Sequence, residues 1–178
     1  MQALQLPGLG AYVAHLRQDQ DEAGNLFRDL LISVTGFFRD PDAFAALAGH
    51  VVPSLFEGRG ADETVRVRVP GCTTGEEAYS LAILLREEMG KRPDGPRAQV
   101  FATDIDEAAL GVARGGRYPA PMLSGVSPGR LARFFAADGA SYAVSIGIAN
   151  GDLFDAVVAF SLQTFLCRAA CKAACGGR

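Results

Sequence analysis

The 178-residue sequence predicts an α/β fold with a parallel sheet, preceded by a short helical N-terminal segment. Three observations predict it. A β-type run, Val65-Arg66-Val67-Arg68-Val69, enters a turn holding Gly71 and Gly75, and a helical pattern leaves that turn at Glu76. A second run, Ala98–Thr103, follows that helix and ends at Asp104. Strand–helix–strand order implies parallel strands. Ahead of residue 60 the patterning is helical, with Pro41 placed to start a helix.

Taken in order, residues 4–31 read as helical segments carrying Tyr12, Val13, Leu16, Leu26, Phe27, Leu30 and Leu31. Asp40-Pro41 opens the next helix, an N-cap acceptor followed by proline at the first helical position. That helix runs through Phe44, Leu47 and Ala48 and is expected to end before Pro53, because proline lacks the N–H that a helix interior needs. The polar, glycine-rich stretch 57–64 reads as a linker. It divides a helical segment, 1–60, from an α/β domain, 61–178.

Val65–Pro70 is the first strand, and Glu76–Gly90 is a helix with Leu81, Leu84, Leu85 and Met89 on one face. Residues 91–97 form a loop with two prolines before the strand Ala98–Thr103. Asp106 is placed to cap a helix over Glu107–Arg114, which Gly115-Gly116 stops. Ser127-Pro128 opens a short helix bearing Leu131, Phe134 and Phe135. Ser141–Ile148 is strand-like, and Phe154–Phe160 is a buried-strand candidate.

Composition bounds the function. Apolar residues make up 49% of the chain, enough for a sizeable core, and the net charge is −3. No run of Lys and Arg is present, which argues against nucleic acid as a partner, since phosphate neutralisation carries that affinity. No basic stretch followed by an apolar one opens the chain, so no signal peptide is expected. The run Ala156–Cys167 is too short to span a bilayer, so no membrane insertion is expected. A cytoplasmic location with reduced thiols follows.

The glycine turn holds the candidate site. Its spacing is neither G-x-G-x-x-G nor G-x-x-x-x-G-K-[ST], and no lysine is present to meet phosphates. Glu76 and Glu77 stand where a phosphate needs positive charge. The turn therefore suits a cationic or hydroxyl-rich ligand, and S-adenosylmethionine carries both a sulfonium and a ribose. Asp104, at the end of the second strand, is placed either to take ribose hydroxyls or to serve as a turn acid. Glu77 has a structural alternative, because Thr74-Gly75-Glu76-Glu77 matches the capping-box pattern. Arg39 follows two phenylalanines and is either a surface arginine or a carboxylate grip. Cys72 reads as a small buried residue. Cys167, Cys171 and Cys175 recur every four residues, a spacing that fits no cluster motif, so no metal is expected. His15 and His50 lack partners in the pattern.

These residues resemble the CheR-type chemotaxis-receptor methyltransferases. The stretches that carry the likeness are Leu26–Pro41, Val69–Ser80, Phe101–Leu110, Arg117-Tyr118-Pro119 and Ser127–Leu131. The resemblance runs from about Tyr12 to Val144. It implies a Rossmann-like methyltransferase sheet, with S-adenosylmethionine as methyl donor and glutamate side chains of a receptor cytoplasmic domain as acceptors. It implies cofactor contacts from Thr35, Arg39, Glu77 and Asp104. Ser33 matches a position where the family commonly has Asn, so its contact is expected to be weaker. No catalytic side chain is implied. A carboxylate with a pKa of about 4.3 is ionised at neutral pH and needs no general base, so alignment of donor and acceptor suffices.

The chain departs from the family towards its C-terminus. Phe160 and Ser161 stand where Arg and Asn are expected. The segment from Cys167 to Arg178 matches nothing in the family, and a truncated or frameshifted tail would account for it. The sheet is thus expected to be incomplete. The alternative function that follows is an inactive remnant serving as a cofactor-binding or regulatory module.

Overall fold

A computed structural model describes residues 6–30 and 35–145. By their contacts these fall into two compact units, divided between Val34 and Thr35.

The first unit holds helices α1 (Leu9–Leu16) and α2 (Gln20–Leu30). Asp19 starts α2, its carboxylate accepting the amides of Asp21 and Glu22 at 3.0 Å each. Tyr12 donates to Glu22 at 2.8 Å and ties the two helices together.

The second unit opens with helix α3 (Pro41–Ala46). Proline takes the first helical position as predicted, although the Asp40 side chain makes no cap hydrogen bond. The helix does not end before Pro53. It widens into a π turn over Leu47–Val51 and resumes as α4 (Val52–Phe56), with Pro53 in the first turn of the new segment. A π turn shifts the hydrogen-bond pattern by one residue, so the missing N–H of proline falls where no bond is required. Val52 and Phe56 join the core of this unit. The 57–64 stretch lies within the same unit, held by the Glu63 carboxylate on the Gly60 amide and by the Glu63 carbonyl on the Arg97 amide.

The α/β elements follow the predicted order. Strand β1 (Thr64–Pro70) leads into helix α5 (Glu76–Met89), then strand β2 (Arg97–Thr103), then helix α6 (Glu107–Gly115). β1 and β2 pair in parallel, with Thr64 opposite Arg97 and Pro70 opposite Thr103. Ala98, Val100 and Ala102 of β2 are fully buried, and α5 packs on this pair with Ala82, Ile83 and Leu85. Asp106 caps α6 as expected, accepting the amides of Ala108 and Ala109, and Gly116 closes it in the left-handed region at φ 57°. Ser127 caps α7 (Pro128–Phe134).

Phe135 is not part of that helix. It begins strand β4 (Phe135–Asp138), which pairs antiparallel with β5 (Ser141–Val144), and β5 pairs with β3 (Arg117–Pro119). In this small sheet, ordered β3-β5-β4, β5 falls within the strand-like run expected from Ser141, whereas β3 and β4 are too short for period-two patterning to reveal them. The strand candidate Phe154–Phe160, the Phe160-Ser161 pair and the three C-terminal cysteines lie outside the described residues.

Candidate cofactor site

The site is built where β1 ends. Three residues of the following turn have positive φ, namely Gly71 at 67°, Thr73 at 47° and Gly75 at 97°. Such a run folds the backbone tightly between strand and helix. Gly75 is required twice over. Its φ disfavours any side chain, and a Cβ there would lie 2.9 Å from the Cβ of Ala113. Gly71 differs, since a Cβ there would meet nothing within 4 Å.

Asp104 fastens the turn to the end of β2. One carboxylate oxygen accepts the Thr73 amide at 2.7 Å, and the other accepts the Asp106 amide at 2.9 Å. The Cys72 amide adds a bond to the Thr103 carbonyl at 3.0 Å. The Thr73 bond explains how a threonine holds its uncommon φ. A carboxylate has about four acceptor positions, so Asp104 keeps capacity for two hydroxyls after binding two amides. Those acceptor positions fit the diol of a ribose.

Helix α5 begins with two acids in different surroundings. Glu76 is fully buried and accepts from the Thr74 hydroxyl at 2.9 and 2.7 Å. Glu77 is exposed in the first turn. The capping box does not form, because Gly75 rather than Thr74 occupies the N-cap and no side chain caps the helix. The Thr74 hydroxyl points instead to its near neighbour Glu76, which leaves the Glu77 carboxylate outside any box.

The field in the turn is negative. The Cys72 thiol is pushed up to about 11, first by burial and then by the charge of Asp104, with Glu76 and Glu77 adding to it. The thiol therefore stays protonated at neutral pH and is no nucleophile. A sulfonium is favoured by the same field, and a phosphate is opposed.

The 35–39 segment reaches the turn through aromatic residues. Phe37 and Phe38 are both buried, as their apolar pattern implies. The Phe37 ring meets Tyr118 edge-on at 4.9 Å, and Tyr118 in turn donates from its hydroxyl to the Thr74 carbonyl at 2.6 Å. The Phe38 amide donates to the Ser80 hydroxyl at 3.1 Å, and Ser80 donates to the Glu76 carbonyl at 2.7 Å. Thr35 is half-buried and Arg39 exposed, on either side of this anchored pair. Thr35, Arg39, Glu77 and Asp104 thus belong to segments joined through Tyr118 and Ser80, whereas Ser33 lies outside the described residues. Tyr79 completes the support. Its hydroxyl donates to the Ala113 carbonyl at 2.7 Å, and burial raises it to about 12. Burial also pushes the Tyr118 phenol far up, so both remain donors at any physiological pH. No spacing rule points to Tyr118, Tyr79 or Ser80. Tyr118 showed itself in the sequence only as part of Arg117-Tyr118-Pro119.

A family model described as "CheR methyltransferase, SAM binding domain" matches residues 33–164. The chain belongs to the CheR methyltransferase family. The β1–α5–β2 unit is accordingly part of a Rossmann-like methyltransferase domain that binds S-adenosylmethionine. The chain is 36% identical to a chemotaxis protein methyltransferase of Salmonella typhimurium over 76% of its own length and 44% of that protein's. It is 34% identical to the chemotaxis protein methyltransferase of Escherichia coli, over 76% of its length and 45% of the relative's. An uncharacterized 104.1 kDa protein of Rhodobacter capsulatus is 37% identical over 79% of this chain, which is 15% of that protein. The chain therefore spans less than half the length of each of these relatives. Among the described residues, no helix is long and apolar enough to cross a membrane.

Proposed function

We propose that this chain holds S-adenosylmethionine through Thr35, Arg39, Glu77 and Asp104, and serves a methyltransferase that esterifies glutamate side chains on the cytoplasmic domain of a chemotaxis receptor. The observation that carries the reading is Asp104. It stands at the carboxyl end of a parallel strand, its oxygens oriented by two amides, with acceptor capacity left for a diol. Ligands of open α/β sheets lie at that end.

When bound, the cofactor supplies an electrophilic methyl on a positive sulfur. The residues of this chain do the rest by position and charge. Asp104 orients the ribose, the acids of the turn favour the sulfonium, and the positive φ of Gly71 keeps side-chain bulk off the turn. The acceptor glutamate arrives ionised, so holding it at roughly 3–3.5 Å from the methyl, in line with the sulfur, is the catalytic task. The names of the relatives support the receptor as partner, and a cytoplasmic site of action accords with that partner.

The test is transfer of labelled methyl from S-adenosylmethionine to a receptor cytoplasmic fragment, run beside calorimetry with S-adenosylhomocysteine. Saturable cofactor binding and base-labile labelling of glutamates are expected. Binding without labelling would withdraw the receptor assignment, and absence of binding would withdraw the site.

A further inference from the structure

At the opposite end of α5, about 20 Å from the cofactor turn by helix rise, four arginines converge on a cleft of about 400 Å3. They are Arg86 on α5, Arg92 and Arg97 flanking the proline turn, and Arg133 on α7. We propose that this cleft is a second binding site, for a phosphate or diphosphate group.

No carboxylate lines the cleft, although the chain as a whole carries −3. Among the described residues, no acid pairs with Arg86, Arg97 or Arg133, while nearby Arg130 is neutralised by Glu87 in a two-pronged contact at 2.9 and 2.8 Å. The fourth arginine is held in place. Buried Glu88 accepts from the Arg92 Nε at 2.9 Å and from the Lys91 Nζ at 2.8 Å. Gripping Arg92 by its Nε leaves the two terminal nitrogens of its fork for a ligand.

Arginines near a helix C-terminus can simply serve the last carbonyls. Here three of the last four carbonyls are already served. The amides of Gly90, Lys91 and Arg92 donate to the carbonyls of Arg86, Glu88 and Met89 at 3.0–3.1 Å. Four guanidinium groups are more than the one remaining carbonyl calls for. Planar forks in this number suit a tetrahedral, multiply charged oxyanion, which accepts bidentate bonds from several sides. Met89, Pro93 and Pro96 give the cleft an apolar wall, and its volume lies within the range of small-molecule sites. The chemistry admits a soluble phosphate ester or a phospholipid headgroup.

The probe is pyrophosphate, titrated calorimetrically into the full chain at low salt. Saturable binding is expected, weakened roughly tenfold for each arginine removed in Arg86→Ala and Arg133→Ala. Arg66→Ala, which removes an exposed charge from β1, is expected to leave the affinity unchanged. Arg133→Gln provides a milder variant if Arg133→Ala loses its circular-dichroism signature. Co-sedimentation with vesicles containing phosphatidic acid separates the two sources. Retention assigns a headgroup, and pyrophosphate binding without retention assigns a soluble ester. Absence of saturable binding, or an equal loss in Arg66→Ala, would overturn the proposal.

Discussion

The hydroxyl of Tyr118 donates to the carbonyl of Thr74 across 2.6 Å, and so joins the small antiparallel sheet to the turn between β1 and α5. The same ring stacks edge-on against Phe37 at 4.9 Å and Tyr79 at 6.0 Å. Together with the Phe38–Ser80 bond, this side chain holds the 35–39 segment against the turn. Tyr118→Phe keeps the ring contacts and removes only the bond. A stability loss of about 1–2 kcal/mol is expected, together with a severalfold loss of S-adenosylhomocysteine affinity. Urea unfolding and calorimetry measure the two. Unchanged affinity would show that the turn holds its shape without Tyr118.

The two turn glycines are expected to respond differently to alanine. At Gly75 a methyl adds crowding against Ala113 to an unfavourable φ of 97°. The cost combines about 1–2 kcal/mol of backbone strain with about 1–3 kcal/mol of overpacking. At Gly71 only the backbone term applies, since nothing lies within 4 Å of the new methyl. Gly75→Ala should thus lower the melting temperature well beyond Gly71→Ala. Gly71→Ala should thus show the backbone cost alone. Equal melting temperatures for the two variants would contradict the crowding argument.

Asp104→Ala is expected to abolish measurable cofactor binding, since it removes the proposed ribose acceptor and leaves the Thr73 and Asp106 amides without their partner. Asp104→Asn keeps one carbonyl oxygen and should retain part of the affinity. Calorimetry ranks the three proteins. Wild-type affinity in Asp104→Ala would remove this residue from the site.

Acid should weaken the clamp behind the arginine cleft. Glu88 sits below its ordinary value of 4.5, chiefly because the Lys91 hydrogen bond favours the charged form, with Arg92 adding to it against the cost of burial. A folded-state value below the unfolded one contributes stability above pH 4.5, and that contribution is lost as pH falls through the lowered value. Wild type should therefore exceed Glu88→Gln in stability at pH 7, and the gap should shrink below about pH 4.5. Denaturant titrations at pH 7 and at acid pH measure it. A gap that does not change with pH would mean that Glu88 acts by shape alone.

Local sequence determined the β1–α5–β2 unit, because a strand-forming run, a glycine turn and an amphipathic helix each declare themselves within a few residues. Asp106 and Ser127 were legible as caps for the same reason, since a cap acts on amides two or three positions away. Asp104 could be singled out because the end of a parallel strand is a defined place in the fold. Only the tertiary structure decided which glutamate is buried, because Thr74 could serve either as a cap or as a partner to Glu76, and the left-handed Gly75 settles that choice. The π turn that carries α3 past Pro53, the pairing of β5 with β3 and β4, and the Tyr118–Thr74 bond were likewise closed to sequence reading. The last two depend on residues far apart in the chain. Arg86, Arg92, Arg97 and Arg133 form no run in the sequence, and only the packing of α7 beside the end of α5 concentrates their charge in one cleft.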